Sequence, residues 1–252
     1  MLINKIEESI LKIKKTIPLS LKYQSYGAHL AFSGGKDSQV IHELYKMANA
    51  PFKAFFYKTS VDPPELLKFI KENYPKVEWL KPPMTMFQLI EKKGMLPLRQ
   101  ARFCCDWIKE RKGLNSVVVT GLTSAESIKR RNRKTLEHSC IKGNDKILFN
   151  PILNWTHTDV FRFLKDRNLE YCELYKIQGR IGCVGCPMSP KRMRKDFIQY
   201  PNFKKAYINT VKKLIAKGKY SQFESAEDVI NWWSSGLSRD VYLANKYQNK
   251  LF

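Results

Sequence analysis

A short apolar run, a glycine turn and a helical pattern follow one another between residues 29 and 47, and this order constrains the fold more than any other feature. The apolar run at 29–32 ends at the hydrophilic segment S-G-G-K-D-S, residues 33–38. Apolar residues then recur at the spacing of one helix face: Val40, Ile41, Leu44, Tyr45 and Met47. This pattern predicts a buried strand, a tight turn and a helix, the repeating unit of a parallel sheet covered by helices.

The same alternation continues along the first 150 residues. Apolar runs at 54–57, 77–80 and 117–121 predict three more strands, and residues 64–73 predict a helix between two of them. Residues 3–15 predict an N-terminal helix. The sequence therefore predicts the α/β fold class, with a doubly wound, mainly parallel sheet and ligands bound beyond the carboxyl ends of its strands.

The character of the chain changes after residue 150, so we predict a nucleotide-binding α/β domain at 1–150 and a second region at 151–252. Residues 155–164 predict a helix capped by Thr156 or Thr158. A C-x-x-C sequence follows in a glycine-containing loop. From Lys191 onward, basic and aromatic residues at helical spacing predict a helical C-terminal region.

Residues 33–38 have the composition of a phosphate-binding loop. Two glycines let backbone N–H groups approach phosphate oxygens, and the helix that starts here directs its positive dipole end to the same place. The side chains available to a ligand are those of Ser33, Lys36, Asp37 and Ser38. The lysine supplies charge, and the aspartate orients either Mg²⁺ or the lysine. The alternative, an ordinary glycine turn that caps a helix, is less favoured because the flanking strand and helix are so regular. The spacing is not that of a Walker A loop.

Four of the six cysteines form two pairs, Cys104 with Cys105 and Cys183 with Cys186. Four thiolates can hold either zinc or an iron–sulfur cluster, and their spacing does not decide between the two. The alternative is two buried structural cysteines beside a redox-silent C-x-x-C. The other two cysteines, Cys140 and Cys172, stand alone.

The segment at 33–38 resembles the PP-loop signature of the adenine nucleotide α-hydrolase superfamily. Four later segments resemble, in order, elements of the phosphoadenylyl-sulfate (PAPS) reductase family. They are R-F-C-C-D-W-I-K at 102–109, T-G-L-T-S-A-E-S followed by two arginines at 120–131, N-P-I-L-N-W-T at 150–156, and Y-K-I-Q-G-R-I-G-C-V-G-C-P-M at 175–188. The resemblance covers residues 28–190, and on it the chain is identified as a member of the iron–sulfur branch of that family.

This resemblance implies an enzyme that binds ATP, PAPS or adenylyl sulfate (APS) together with Mg²⁺ and acts at the α-phosphate. The implied nucleotide-binding residues are Ser33, Gly34, Gly35, Lys36, Asp37, Ser38, Gly121, Glu126 and Ser127. The implied catalytic residues are Lys36, Asp37, Lys109, Arg130 and Arg131. The implied ligands of a 4Fe–4S cluster are Cys104, Cys105, Cys183 and Cys186.

The chain departs from the family pattern at two places. Thr123 stands where the family has an arginine, which predicts a looser contact with a sulfate or phosphate. The 252 residues contain no cysteine after Cys186, whereas reductases of the family carry a nucleophilic cysteine near their C-terminus. Cys140 and Cys172 are weak candidates to replace it, because neither lies in a mobile tail.

The formal net charge is +22, from 45 Lys and Arg against 23 Asp and Glu, and it is spread along the chain. Either a polyanionic partner or a lysine-rich surface composition without such a partner explains this excess. From 191 to 217, basic residues interleave with four aromatic residues: Phe197, Tyr200, Phe203 and Tyr207. This stretch predicts either phosphate contacts with base stacking, or an amphipathic helical cap with a solvated basic face.

Three functions are therefore weighed. The first is an ATP pyrophosphatase that activates a target, DNA or tRNA, for sulfur transfer from a donor protein. The second is thiol-dependent reduction of APS or PAPS to sulfite, and the third is a non-catalytic nucleotide-binding subunit. Without a run of about 18 apolar residues or a signal-like start, we expect a cytoplasmic protein with no membrane partner. The sequence does not determine the oligomeric state.

Overall fold

Six strands form one sheet within residues 2–141, 144–179 and 181–248, the parts of the chain that the computed structural model describes. They are β1 (Ala28–Ala31), β2 (Phe52–Tyr57), β3 (Glu78–Leu80), β4 (Val117–Val119), β5 (Leu136–Ile141) and β6 (Asn144–Phe149). Their order is β3-β2-β1-β4-β6-β5, and neighbours are parallel except for β5, which is antiparallel to β6. The predicted fold class, α/β with a mainly parallel sheet, is confirmed.

The helices of the described residues lie between and after these strands. Those before β6 are α1 (Leu2–Tyr23), α2 (Lys36–Met47), α3 (Pro64–Asn73), α4 (Met86–Lys93), α5 (Phe103–Cys105) and α6 (Ile128–Arg131). Those after it are α7 (His157–Asp166), α8 (Leu174–Gln178), α9 (Pro190–Gln199), α10 (Pro201–Ala216), α11 (Ala226–Ser235) and α12 (Arg239–Gln248). A π-helical turn (Asp106–Glu110) and a 3₁₀ turn (Ser124–Glu126) complete the set.

The central strands bring two glycine-containing loops to one edge of the sheet. β1 pairs in parallel with β4, with Leu30 opposite Val119, so the chain leaves both strands in the same direction. Residues 32–35 follow β1, and residues 120–123 follow β4. The apolar face of α2 is fully buried at Val40, Ile41 and Leu44. Each such side chain stabilises the fold by about 1.5–3 kcal/mol, and this burial fixes the position of the first turn of α2.

The chain forms two compact units, and neither is a continuous segment. The first unit comprises residues 1–57, 64–81 and 111–181 and holds the sheet. The second comprises 58–63, 82–110 and 182–252, and its core is built from α4, α9, α10 and α11. These units do not follow the predicted division at residue 150, because residues 82–110 belong with the C-terminal helices and residues 151–181 belong with the sheet.

Among the described residues, no helix combines the length and the apolar character that crossing a bilayer requires.

Candidate active site

The turn between β1 and α2 is shaped by two glycines. Gly34 has a φ of +71°, and a Cβ there would lie 2.6 Å from Leu66 Cδ1 and 2.8 Å from Ile70 Cδ1. Both the left-handed backbone and the contact with α3 therefore require glycine at this position. Gly35 is the N-cap residue of α2, with an extended backbone and no side-chain capping bond. The first turn of α2 thus directs backbone N–H groups at this loop, as an anion site requires.

Two serine hydroxyls close the turn. Ser38 Oγ donates to the Gly35 carbonyl at 2.7 Å, and Ser33 Oγ donates to Ser38 Oγ at 3.3 Å. Gly35 N–H donates to Ser33 Oγ, also at 3.3 Å. The serines predicted to bind nucleotide therefore shape the loop in this structure.

Lys36 and Asp37 form an ion pair inside the loop. Lys36 is 6% exposed, and its Nζ lies 2.6 Å from Asp37 Oδ1 and 2.8 Å from Oδ2. The same ammonium lies 5.8 Å from the centroid of the Phe161 ring. This ion pair agrees with a role of the aspartate in orienting the lysine, and its other role, orienting Mg²⁺, stays a prediction.

Tyr175 is a residue of this site whose role the sequence did not reveal. Its hydroxyl accepts a hydrogen bond from Lys36 N–H at 2.8 Å, at the first turn of α2. Its ring packs edge-to-face with Phe161 and Tyr171, at centroid distances of 6.1 and 5.9 Å. The only sequence signal was its place in the fourth family-like segment, which carried no information about a contact with the loop.

Gly121, predicted to bind nucleotide, packs against the start of α2. A Cβ at this position would lie 2.8 Å from the Asp37 carbonyl carbon and 2.9 Å from both Cβ and O of Asp37. The loop after β4 can therefore approach the phosphate loop this closely only without a side chain.

The other predicted residues of the first unit lie on the 3₁₀ turn and α6. Glu126 and Arg130 form an ion pair, Ser127 is the N-cap residue of α6, and Arg131 is exposed. Thr123, where the family has an arginine, is only 1% exposed. The substitution therefore removes a cation and leaves a small buried hydroxyl.

The segment at 150–156 has a structural role. Asn150 accepts a hydrogen bond from Thr120 Oγ1 at 2.5 Å and donates one from its Nδ2 to the Lys134 carbonyl at 2.9 Å. Thr156 caps α7 in a capping box with Asp159, as the sequence suggested for Thr156 or Thr158. These contacts hold the chain that follows β4 and β6.

The four cysteines predicted as ligands all belong to the second unit. Cys104 and Cys105 lie in α5, and Cys183 and Cys186 lie in a loop, as predicted for the C-x-x-C. Cys183 Sγ donates to Thr59 Oγ1 at 3.6 Å. The loop between the second pair is therefore positioned partly by the short segment that follows β2.

Helices α9 and α10 hold the rest of this loop. Arg192 Nη2 donates to the Cys183 carbonyl at 2.8 Å, and Tyr207 Oη donates to the Val184 carbonyl at 3.1 Å. Gly185 has a φ of +75°, and a Cβ there would lie 2.9 Å from the Tyr207 ring. The C-x-x-C loop is thus packed on the helical core.

The thiols influence one another and a nearby lysine. A hydrogen bond from Cys104 lowers the pKa of Cys105 to about 6, and the charges of Lys109 and Arg102 act in the same direction. The same bond raises the pKa of Cys104, and burial raises the pKa of Cys183. Negative charge on Cys183 raises the pKa of Lys109. Lys109, predicted to be catalytic, thus lies in the second unit, in the electrostatic environment of the cysteines.

The described residues contain no group of three or more His, Cys, Asp or Glu side chains arranged so that it could hold a metal ion. The two cysteine pairs interact electrostatically, since the charges of Cys183 and Cys186 contribute to raising the pKa of Cys104. The 4Fe–4S cluster therefore stays a prediction.

The base-stacking interpretation of residues 191–217 is wrong for the aromatic side chains. Phe197, Tyr200 and Tyr207 are buried, and Phe203 packs against the same core. Their apolar rings gain more from this burial than from solvent exposure, so they are not available to stack on bases. The alternative that the sequence left open, an amphipathic helical cap with a basic face, describes these helices.

Comparison with known proteins identifies the family. The model of the phosphoadenosine phosphosulfate reductase domain matches residues 27–189, well over half of the chain. The chain belongs to this family.

Two relatives of this chain carry different names, one uncharacterised and one a reductase. An uncharacterised protein of Methanocaldococcus jannaschii is 26% identical over 226 residues, which cover 84% of this chain and 54% of that protein. An adenosine 5'-phosphosulfate reductase of Staphylococcus epidermidis is 24% identical over 180 residues, covering 67% of this chain and 74% of the reductase. The chain thus spans about half the length of the archaeal relative.

Solved structures show the same fold. The FMN adenylyltransferase of Candida glabrata, in complex with FAD and inorganic pyrophosphate, aligns with a TM-score of 0.52 at 18% identity, covering 72% of this chain and 63% of that chain. Yeast FAD synthetase in complex with FAD aligns with a TM-score of 0.50 at 20% identity, covering 73% and 66%. Family and fold therefore agree: the chain belongs to the PAPS reductase domain family and shares the fold of these solved structures.

Proposed function

We propose that this chain binds ATP at residues 33–38 and catalyses attack of an acceptor on the α-phosphate, with release of pyrophosphate. The acceptor is a nucleic acid, DNA or tRNA, which becomes activated for sulfur transfer from a donor protein. The observation that carries the proposal is the turn after β1, where Gly34 and Gly35 bring the chain round so that the first amides of α2 lie beside Lys36 and Asp37.

Each residue has a role in this proposal. An acceptor oxygen forms a bond to the α-phosphorus while the bond from that phosphorus to the bridging oxygen breaks, and pyrophosphate leaves with that oxygen. Lys36 and the amides of α2 stabilise the negative charge that develops on the phosphates. Asp37 keeps the lysine in place until Mg²⁺ arrives with the nucleotide. Arg131 on α6 supplies further positive charge from the same unit, and Arg130 does so when it exchanges its ion pair with Glu126 for the phosphates.

The activated acceptor then reacts with sulfur. A sulfur nucleophile from the donor protein attacks the acceptor carbon or phosphorus to which the adenylylated oxygen is bonded. The bond from this atom to the oxygen breaks, and AMP leaves with the oxygen. The net charge of +22 supports a polyanionic acceptor, because it favours association with phosphate backbones.

The cysteine set fits an iron–sulfur cluster in its chemistry. Cys104, Cys105, Cys183 and Cys186 supply four soft sulfur donors within one unit, and the charge of Lys109 offsets part of their negative charge. The thiols of the protein as described do not themselves form a ligand group. On the chemistry of these four donors alone, we propose them as the ligands of a 4Fe–4S cluster, which when bound would anchor the C-x-x-C loop or relay sulfur.

The test measures pyrophosphate release from ATP by anaerobically purified protein, with and without single-stranded DNA and tRNA. We expect release that nucleic acid stimulates and that Lys36→Met abolishes. Lys46→Met is the matched control, because Lys46 is an ion-paired lysine at the other end of α2. Failure to detect pyrophosphate with any nucleic acid would contradict the proposal, and ATP binding without turnover would instead identify a non-catalytic nucleotide-binding subunit.

A second candidate function is thiol-dependent reduction of APS or PAPS to sulfite. It is favoured by the family match and by the relatives named adenosine 5'-phosphosulfate reductase. It is opposed by Cys172, which is only 1% exposed and whose pKa is raised by burial, so that this thiol is a poor nucleophile. The side chain of Cys140 lies outside the described residues. Sulfite release from APS with thioredoxin or glutathione would reverse the ranking.

A further inference from the structure

Residues of helices α9 to α12 line an open cavity of about 400 Å³ in the second unit. Its volume falls in the range of small-ligand sites. The residues that line it are Arg194, Phe197, Ile198, Lys204, Ile230, Asn231, Ser234, Ser235 and Tyr242. None of them takes part in the phosphate loop or in the cysteine pairs.

The polar side of this cavity is cationic. Arg194 and Lys204 line it, and no Asp or Glu does. Arg194 Nε donates to the Ser234 carbonyl at 3.0 Å, which holds the guanidinium at the wall. The acid behind the wall, Asp228, accepts from Tyr242 Oη at 2.9 Å and pairs with Lys246 at 2.7 Å. Its negative charge is therefore largely compensated, and the cavity favours an anion.

The other side of the cavity is apolar and aromatic. Phe197, Ile230 and the ring of Tyr242 form it, and Ile198 stands at its edge with 82% of its surface exposed. A site with cations on one side and a partly exposed aromatic ring on the other matches a ligand that has both a charged group and a flat apolar group. A nucleotide, with its phosphate and its base, is such a ligand.

The basic surface continues outside the cavity. Lys191, Arg194, Lys195 and Ile198 recur at the spacing of one face of α9, and all four are exposed. From 190 to 217 the chain has nine Lys or Arg residues and one acidic residue. Further along α10, Lys212 and Lys213 pair with Glu227 and Glu91, so part of the positive charge in that part of the helix is compensated. A strand of linked phosphates fits this surface better than a single free nucleotide does.

We propose that this cavity binds one nucleotide unit of a single-stranded nucleic acid. Arg194 and Lys204 bind the phosphate, Tyr242 contacts the base, and the exposed face of α9 binds the neighbouring phosphates. A single strand is required because a base paired within a duplex cannot leave its stack to enter the cavity without an energetic cost. The inference rests on the proposed function, and it adds the place where the acceptor is held.

The experiment measures the affinity of the full-length protein for a fluorescein-labelled 12-nucleotide single strand by fluorescence anisotropy over a salt series. We expect Arg194→Glu and Lys204→Glu each to weaken binding at least tenfold. Lys205→Glu is the matched control, since it makes the same change in net charge one residue away but outside the cavity lining. We expect it to weaken binding less than threefold. Tyr242→Ala should weaken binding about tenfold, in keeping with the loss of one base-stacking contact.

Each other outcome overturns the inference. Equal losses for Lys204→Glu and Lys205→Glu would show a general field effect, and equal affinity for a duplex would show that no base enters the cavity. If AMP competes with the labelled oligonucleotide at AMP concentrations near the dissociation constant of AMP itself, the cavity is a site for free nucleotides. Thermal denaturation of each variant checks that the fold is kept.

Calorimetry with ATP separates this result from the proposed function. Lys36→Met should lose ATP binding and keep strand binding, whereas Arg194→Glu should keep ATP binding. If ATP does not bind but the variants lose affinity for the oligonucleotide as expected, the proposed function fails and the assignment of the cavity stands. If ATP binds and releases pyrophosphate but no strand binds, the cavity assignment fails alone.

Discussion

The hydroxyl of Tyr175 accepts the N–H of Lys36, so a phosphate oxygen that binds this amide has to displace it. A charged phosphate is the stronger acceptor, and the exchange costs one neutral hydrogen bond, about 1 kcal/mol. At the scale of single residues, the hydrogen bond from Lys36 N–H to Tyr175 therefore occupies the loop until a phosphate oxygen replaces it.

We predict that Tyr175→Phe tightens the binding of ATP and of inorganic pyrophosphate about threefold to tenfold. The ring and its packing with Phe161 remain, while the competing acceptor is removed. Isothermal titration calorimetry measures the change, and a small drop in melting temperature should accompany it. A tenfold loss of affinity would mean instead that the hydroxyl itself binds the nucleotide.

Gly121 supports a prediction at the scale of elements, since it sets the distance between the loop after β4 and the start of α2. In Gly121→Ala the new methyl would meet the Asp37 backbone at 2.8–2.9 Å, so one of the two elements has to shift. We expect a loss of about 1–3 kcal/mol of unfolding free energy, typical of overpacking, together with weaker ATP binding. Urea denaturation and calorimetry measure the two effects.

Gly218→Ala is the control for this variant. Gly218 has a left-handed backbone, with a φ of +73°, but unlike at Gly121 a Cβ there would have no atom within 4 Å. It should cost about 1 kcal/mol through backbone strain alone and leave ATP binding unchanged. Equal ATP affinity in the two variants would show that the contact of Gly121 with α2 has no bearing on the site.

Tyr207 tests the interpretation of the basic helices. Its hydroxyl is buried and donates to the Val184 carbonyl, between the cysteines of the C-x-x-C. Tyr207→Phe should lower the unfolding free energy by about 1–3 kcal/mol, because a buried carbonyl loses its partner. The affinity of this variant for the single-stranded oligonucleotide should stay within twofold of that of the unaltered protein. A large loss of strand binding with unchanged stability would contradict the assignment of this ring to the core.

Much of the sheet could be predicted from the sequence, because each central strand is a continuous apolar run. The helix at 64–73 has the same bounds in the structure as in the prediction, and α2 contains all the residues from Val40 to Met47 that carry its apolar pattern. The hairpin of β5 and β6 was missed, since its strands mix charged and apolar residues without a clear run. Helix α4 was also missed, although Thr85 and Gln88 have the spacing of a capping box.

The candidate site was predictable only in part. The phosphate loop is one contiguous segment whose glycines have a clear physical reason. The contacts of Tyr175 and Phe161 with that loop bridge more than 120 residues of chain, and such long-range contacts leave no local signal. The aromatic residues of α9 and α10 left two interpretations open, because burial and base stacking select the same residue types.

The buried His29 and the half-buried His42 make the stability of the whole molecule sensitive to acid. Burial lowers the pKa of His29 and of His42 from 6.5 to about 4. The neutral form is therefore favoured in the folded state, and this contribution is complete above pH 6.5 and is lost as the pH falls from 6.5 toward 4. Each histidine accounts for on the order of 3 kcal/mol over that window.

We predict that urea denaturation at pH 7.5, 6 and 5 shows a steep fall in unfolding free energy. His42→Gln should remove about half of that dependence. His157→Gln is the control, because His157 is exposed at the start of α7 and should leave the dependence as it is. A pH profile that is flat between 7.5 and 5 would contradict this account.

The discontinuity of the second unit has a consequence for synthesis. Cys104 and Cys105 emerge from the ribosome about 80 residues before Cys183 and Cys186, a delay of roughly 4–16 s at translation rates of 5–20 residues per second. During this interval the first thiol pair has neither its partner loop nor the helices that later cover it. The nascent chain therefore depends on a reducing environment throughout this delay, and the rate of translation becomes one of the determinants of how much correctly assembled protein a cell obtains.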